Sequence, residues 1–178
     1  MTKNLSREFQ SVKRPGRVVL NGVCAVIVLC AEEVEITGEN KERIDAALGI
    51  INSLDNTPPL IFMGTKAHII ALEAYLCVKK DDVKVLYPTR RKHESSWTQI
   101  KSLAQYLCQK KFKKVLIVSH AYHIPRLRRY CSKYINKEQQ YKFYPVGNIK
   151  NQSRRVKEEI VKIIKYAKKG DLPLEVMG

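Results

Sequence analysis

The 178-residue sequence has no CxxC pair, no Cys/His spacing of the kind that holds zinc, no GxGxxG and no GxxxxGK(S/T). The first two absences exclude zinc fingers and ribbons, and the last two disfavour both common nucleotide-binding loops. RNA-recognition aromatics, a helix-turn-helix signal, internal repeats and low-complexity tracts are also missing. A long apolar run is missing too. In "KRPGRVVLNGVCAVIVLCAEE", Lys13, Arg14 and Arg17 precede an apolar stretch from Val18 to Ala31 and imitate a secretion signal. Asn21 and Gly22 interrupt that stretch, it falls short of the ~20 residues a membrane span needs, and Leu29 before Cys30 does not suit a lipoprotein cleavage site. It reads as a buried first strand. The five cysteines (Cys24, Cys30, Cys77, Cys108, Cys131) are scattered and odd in number. They read as buried free thiols in a reducing compartment, which points to the cytoplasm.

What is present is positive charge. There are 33 Lys and Arg against 17 Asp and Glu, a net +16, and residues 79–178 hold 25 of the cations but only 8 of the acids. That imbalance admits a partner of nucleic acid or anionic membrane. The competing explanation is solvated helix faces, as in "RRVKEEIVKIIKYAKKG", where Val156, Ile160, Ile163, Ile164 and Ala167 form one apolar stripe opposite the lysines.

Five short apolar runs recur: "VCAVIVLC" (23–30), "PLIFMG" (59–64), "VKVLY" (83–87), "KVLIVS" (114–119) and "YKFYPV" (141–146). Their continuous apolar character suits strands covered on both faces, and Lys142 and Pro145 mark the last as an edge. Helical periods lie between them: Ile44, Ala47, Leu48, Ile51 and Leu54; Ala67, Ile70, Ala71, Ala74 and Tyr75; Ile100, Leu103, Ala104 and Leu107; Leu127, Tyr130, Cys131 and Tyr134. Ser96 with Gln99 fits a capping box opening the third helix. The alternation predicts a three-layer α/β sandwich with a mostly parallel five-stranded sheet. Residues 1–17 read as a basic, loosely held arm, and residues 18–178 as a single domain.

Ligand crevices in such sheets open beyond the carboxyl ends of the strands. Segments 31–40, 64–68, 88–98 and 119–126 are therefore the places to look. Gly64 and Thr65 form a possible phosphate-cradling turn or a plain tight turn. Ser119, His120, Tyr122, His123 and Arg126 are the densest cluster of chemistry-bearing side chains. Pro125 suits the first helical position, which sets His123 near the cap and Arg126 in the first turn. Arg126 is the candidate bidentate clamp for phosphate or carboxylate, with Arg128 and Arg129 pointing outward. His123 is the candidate acid/base group, and His120 a ligand contact; each has a capping or packing role as its alternative. Glu73 and Glu94 are the candidate carboxylates, and Glu73 is expected to partner Arg126 if no anion does. A metal shared by His120 and His123 has no third ligand of recognisable spacing, so no metal is assigned.

"VLIVSHAYHIPRLRRY" resembles the hallmark of the YdcF-like proteins, the domain-of-unknown-function family that includes SanA and ElyC. In that hallmark an apolar strand runs into a Ser/Thr turn and a His-x-Pro-Arg element, here Ser119, His123, Pro125 and Arg126. "AVIVLCA", "ERIDAAL", "PLIFMGT", "LEAYL" and "ESSWTQI" follow in the family's order, so the resemblance covers about residues 22 to 150. It adds Arg43, Gly64, Glu73, Ser96 and Thr98 to the candidate site. Two features depart from the family: "LCAEE" has none of the glycines usual after the first strand, and Ile100 stands where an Asn often completes the Ser/Thr turn. The resemblance implies a Rossmann-like fold and a nucleotide-like ligand, S-adenosylmethionine among the candidates. Several relatives serve the cell envelope and carry a membrane segment, which this sequence does not show.

These readings give one leading expectation: a small anionic, nucleotide-like or phosphorylated ligand at the carboxyl edge of the sheet, with transferase or hydrolase chemistry where chemistry occurs. The alternative is a non-enzymatic binder of nucleic acid or anionic membrane that uses the basic second half.

Overall fold

The Val/Ile/Leu runs become strands because β-branched side chains favour the extended backbone and find cover on both faces. The computed structural model of the chain describes residues 2–16, 20–76, 83–86, 95–148 and 152–174. Their elements are α1 (Thr2–Gln10), β1 (Ala25–Leu29), α2 (Gly38–Asn52), β2 (Leu60–Met63), α3 (Lys66–Leu76), β3 (Val83–Leu86), α4 (Ser96–Lys110), β4 (Lys114–His120), α5 (Ile124–Tyr134), β5 (Gln140–Val146) and α6 (Ser153–Lys168). The fold is α/β. Four parallel strands in the order β2-β1-β4-β5 carry the core, and β3 pairs in parallel with the free edge of β2.

Alternation along the strands sends side chains to two faces. Val26, Val28, Leu60, Phe62, Leu116 and Val118 join α2 and α3 in one apolar cluster. Ala25, Ile27, Leu29, Ile61, Met63, Val115 and Ile117 join α1, α4, α5 and α6 in the other. The chain runs outward from β1 through β2 to β3, then returns to the other side of β1 to place β4 and β5. That reversal puts the switch point between β1 and β4, and the loops after these two strands diverge there to open a crevice. Among the described residues no helix is long and apolar enough to cross a membrane.

Five local expectations are corrected. The arm at the amino terminus is a helix, α1, because Leu5 and Phe9, one turn apart, bury themselves in the second cluster against α5 and α6. Arg129 does not point outward: it is 2% exposed, donates to both Glu8 carboxylate oxygens at 2.8 Å, and also reaches the carbonyls of Pro125 and Leu174. Helix α3 buries His68, Ile69, Leu72 and Leu76 and exposes Ile70. "KAHIIALEAYL" is apolar around much of its circumference, so periodicity left its inner face ambiguous. The capping box of α4 begins one residue earlier than expected, with Ser95 accepting from the Thr98 N–H and Thr98 Oγ1 accepting from the Ser95 N–H. The thiols are also not uniformly buried, since Cys108 is exposed on α4, while Cys77 lies outside the described residues.

Candidate functional site

A cleft of about 340 Å³ opens at the switch point. Its walls come from the loop after β1, the first turns of α4 and α5, and the inward face of α6. The loop after β1 is tied down by Asn40, whose Oδ1 accepts from the Ala31 N–H at 2.7 Å and whose amide donates to the Glu33 carbonyl. Asn40 thereby occupies the first free N–H after the strand, the group that a phosphate would seek in a glycine-rich turn.

His123 sits at the N-cap of α5, held in place by the bond from its N–H to the His120 carbonyl at 2.9 Å. Its ring spans two hydroxyls: Nδ1 lies 3.3 Å from Ser119 Oγ and Nε2 lies 3.0 Å from Ser96 Oγ. Burial drives its pKa well below the ordinary histidine value, and the positive charges of Arg126, Arg43 and Lys162 and of a protonated His120 push the same way. His123 is therefore a neutral imidazole around pH 7.

His120 belongs to a different network. Arg43 Nε donates to His120 Nδ1 at 2.9 Å, which leaves the ring proton on Nε2, 2.9 Å from Glu42 Oε2. Burial and the Arg43 charge both lower the His120 pKa. The remaining guanidinium donors of Arg43 reach the Leu29 carbonyl at 2.8 Å and Glu39 at 3.0 Å. Glu39 in turn accepts from the Tyr122 hydroxyl at 2.6 Å. Arg43 lines the cleft, but its donors tie α2 to the ends of β1 and β4. His120, expected as a ligand contact, does not line the cleft.

Arg126 answers the expectation of a buried clamp with a partner from an unexpected place. Its Nε and Nη2 donate to the two oxygens of Glu159 at 2.6 and 3.1 Å, and Lys162 Nζ reaches the same carboxylate at 3.2 Å. Glu73, the expected partner, is exposed on α3 and lies outside the cleft, because burial of Leu72 and Leu76 turns position 73 to solvent. A signal for Glu159 existed. It stands three residues after Val156 and four before Ile163, on the apolar stripe of α6, where an acid needs a cation.

The Ser/Thr and glycine candidates separate. Ser96 lines the cleft; Thr98 is spent on the cap. Gln99, also on the cleft, donates to Cys30 Sγ at 2.9 Å. Gly64 and Thr65 fall outside it. A Cβ on Gly64 would lie 2.8 Å from His68 Cβ and 2.9 Å from the Phe62 ring, so glycine is needed there for packing. Thr65 Oγ1 is 2.7 Å from His68 Nδ1, and His68 Nε2 is 3.1 Å from the Ala31 carbonyl, a link between α3 and the loop after β1. Glu94 lies outside the described residues.

Charge in the cleft is nearly balanced. Glu32, Glu33, Glu39, Glu158 and Glu159 face Arg43, Arg126, Arg155 and Lys162. Arg155 is the loosest of the cations, 55% exposed and 3.6 Å from both Glu39 and Glu158. Among the described residues no group of three His, Cys, Asp or Glu side chains is placed to hold a metal ion. No family model, curated protein or solved structure matches the chain.

Proposed function

We propose that the chain is a YdcF-like domain of Rossmann-like, three-layer, five-stranded build, and that its cleft binds a small ligand bearing an anionic group next to a nucleoside-like or similarly polar body. The observation that carries this reading is the neutral His123 in the cleft wall, between two hydroxyls and beside Arg126, Arg155 and Lys162. The near balance of charge supports a ligand of low net charge, either one of both signs such as S-adenosylmethionine or one with a single phosphate such as a nucleoside monophosphate, over a polyphosphate. The Asn40 contact to the Ala31 N–H supports the same choice. Arg155 and Lys162 receive the anion, and Arg126, fixed by Glu159, supplies the positive field behind them. His123 serves as the acid/base group where the ligand reacts.

Calorimetric titration with S-adenosylmethionine, AMP and inorganic phosphate tests the reading. At least one probe binds at one site per chain, and Arg155→Ala or Lys162→Ala weakens it by about ten- to a hundredfold, the value of a charged hydrogen bond of ~1.5–3 kcal/mol. Silence with all three probes, or unchanged affinity in both variants, overturns it.

A second reading has its own observation. Exposed Lys110, Lys111, Lys113, Lys137 and Lys142 gather around the amino ends of β4 and β5, away from the cleft. This surface suits nucleic acid or an anionic membrane. Binding of a polyanion there weakens steeply with added salt as counterions are taken back up, whereas a flat salt response rejects it.

A further inference from the structure

Two features of the cleft go beyond holding a ligand: the orientation of His123 between two serines, and the position of Ser96. Ser96 is the first residue of α4, directly after the Ser95 cap. The residue is partly exposed on the cleft wall, and its Oγ lies 3.0 Å from His123 Nε2. Ser119, fully buried at the end of β4, holds the opposite ring nitrogen at 3.3 Å. With Nδ1–H donated to Ser119, the Nε2 lone pair faces the Ser96 hydroxyl. A nucleophile, a base and a group that orients the base are thus in line. The first-turn N–H groups of Ser96 and Trp97 have no partner inside the helix, so donors for a developing oxyanion lie next to the nucleophile.

The geometry points to Ser96 as a catalytic nucleophile, with His123 as its general base and Ser119 as a positioning residue, for hydrolysis of small carboxylic esters. The inference rests on the ligand reading for its substrate class: an ester carrying an anionic group for Arg155 and Lys162. Ser96 Oγ bonds to the carbonyl carbon as its proton passes to His123 Nε2, and the carbonyl π pair becomes the oxyanion. The oxyanion collapses, the carbon–oxygen bond to the alcohol breaks, and the departing oxygen takes the proton from Nε2. Water then attacks the acyl-serine with His123 again as base. It releases the carboxylic acid and restores the Ser96 hydroxyl.

Four titratable groups bear on His123: Arg126 from its own helix, Arg43 from α2, Lys162 from α6 and, once it is protonated, His120 from β4. All four disfavour the imidazolium, so the array lacks the carboxylate support of a Ser-His-Asp triad and acts slowly on unactivated esters. The same cations keep the base in its active neutral form through the whole neutral range. Acylation is therefore flat with pH between about 6 and 9, without the limb near 6.5 that an unperturbed histidine gives.

A fluorophosphonate probe tests this on the full chain. Intact mass and peptide mapping of the wild-type protein place one phosphonyl group on Ser96, at a rate flat with pH. Ser96→Ala abolishes the adduct, and His123→Asn slows it by about a hundredfold or more. Ser119→Ala lowers the maximal labelling rate and leaves the half-saturating probe concentration unchanged, a split that mere loosening of the fold does not produce. An unlabelled Ser96 in the wild-type protein overturns the inference without requiring any variant to fold, as does a His123→Asn variant labelled at the wild-type rate. A wild-type protein that binds AMP or phosphate but is not labelled rejects the nucleophile alone. Labelling of Ser96 without binding of any anionic probe rejects the ligand reading alone.

Discussion

Arg126 on α5 and Glu159 on α6 form a two-pronged ion pair, 12% and 2% exposed, in the wall of the cleft. The pair joins the sheet's carboxyl edge to the final helix. It also explains why three arginines crowd the positive end of α5: two of them, Arg126 and Arg129, carry their own carboxylates, Glu159 and Glu8. The unfavourable placement of cations against the helix dipole, roughly 0.3–1 kcal/mol each when exposed, is small beside a buried bidentate pair.

Removing Glu159 therefore leaves a desolvated guanidinium. Glu159→Ala destabilises the protein by about 3–5 kcal/mol, while Glu73→Ala, on the exposed side of α3, stays within about 0.5 kcal/mol of the parent. Changing both partners to apolar residues, Arg126→Met with Glu159→Leu, recovers most of the loss, since neither desolvated charge remains. Urea midpoints of the three variants check the order. A fully stable Glu159→Ala protein contradicts the burial argument.

Stability falls on the acid side through the histidines. His68, His120 and His123 each have a folded-state pKa below the ordinary value, with burial as the largest cause in all three. The unfolded chain then binds protons before the folded one does. Stability is complete above about pH 6.5 and declines as pH falls from there toward the folded pKa values. His123 alone contributes a slope of about 1.4 kcal/mol per pH unit in that window. Denaturation measured from pH 8 to pH 5 shows the decline, and His123→Gln makes it shallower. A curve that is flat from pH 7 to pH 5 excludes buried neutral histidines.

The strands were legible because continuous Val/Ile/Leu runs have few other uses, and β1, β2 and β4 fall within one or two residues of the expected spans. That His123, Arg126 and Ser96 share one cleft was also legible, the first two because ligand crevices open just past the strands and Ser96 through the family resemblance. Tertiary partners were not. Arg43 reads as a ligand contact until Leu29, Glu39 and His120 are seen to take its donors. Glu159 stood out as an acid on the apolar stripe of α6, but nothing in the sequence named Arg126 as its cation. No local pattern shows that Leu5 and Phe9 find a core.

Gly64 separates a packing requirement from a phosphate-binding one. A Cβ there meets His68 and Phe62 at under 3 Å, closer than van der Waals contact allows. Gly64→Ala costs about 1–3 kcal/mol through overpacking and leaves phosphate affinity of the folded fraction unchanged, because the residue does not line the cleft. A stable variant with lost phosphate binding assigns Gly64 to the ligand instead.

Helix α1 gives the last test. Phe9 is 1% exposed and Leu5 4%, and both join the cluster formed by β1, β4, α4, α5 and α6. Glu8 between them satisfies Arg129, whose other donors are held by the carbonyls of Pro125 and Leu174. Phe9→Ala opens a cavity and costs about 3–5 kcal/mol, a large share of a typical domain's stability of ~5–15 kcal/mol. Glu8→Ala also destabilises, by uncovering a buried guanidinium, whereas Glu8→Gln keeps an acceptor for Arg129 and costs less. Deletion of residues 1–11 removes both contributions together and exposes the underside of α5, so thermal melting of the truncated chain falls further than either point variant. If Phe9→Ala melts with the parent, residues 2–10 do not form part of the core, and the boundary of the domain returns to about residue 18.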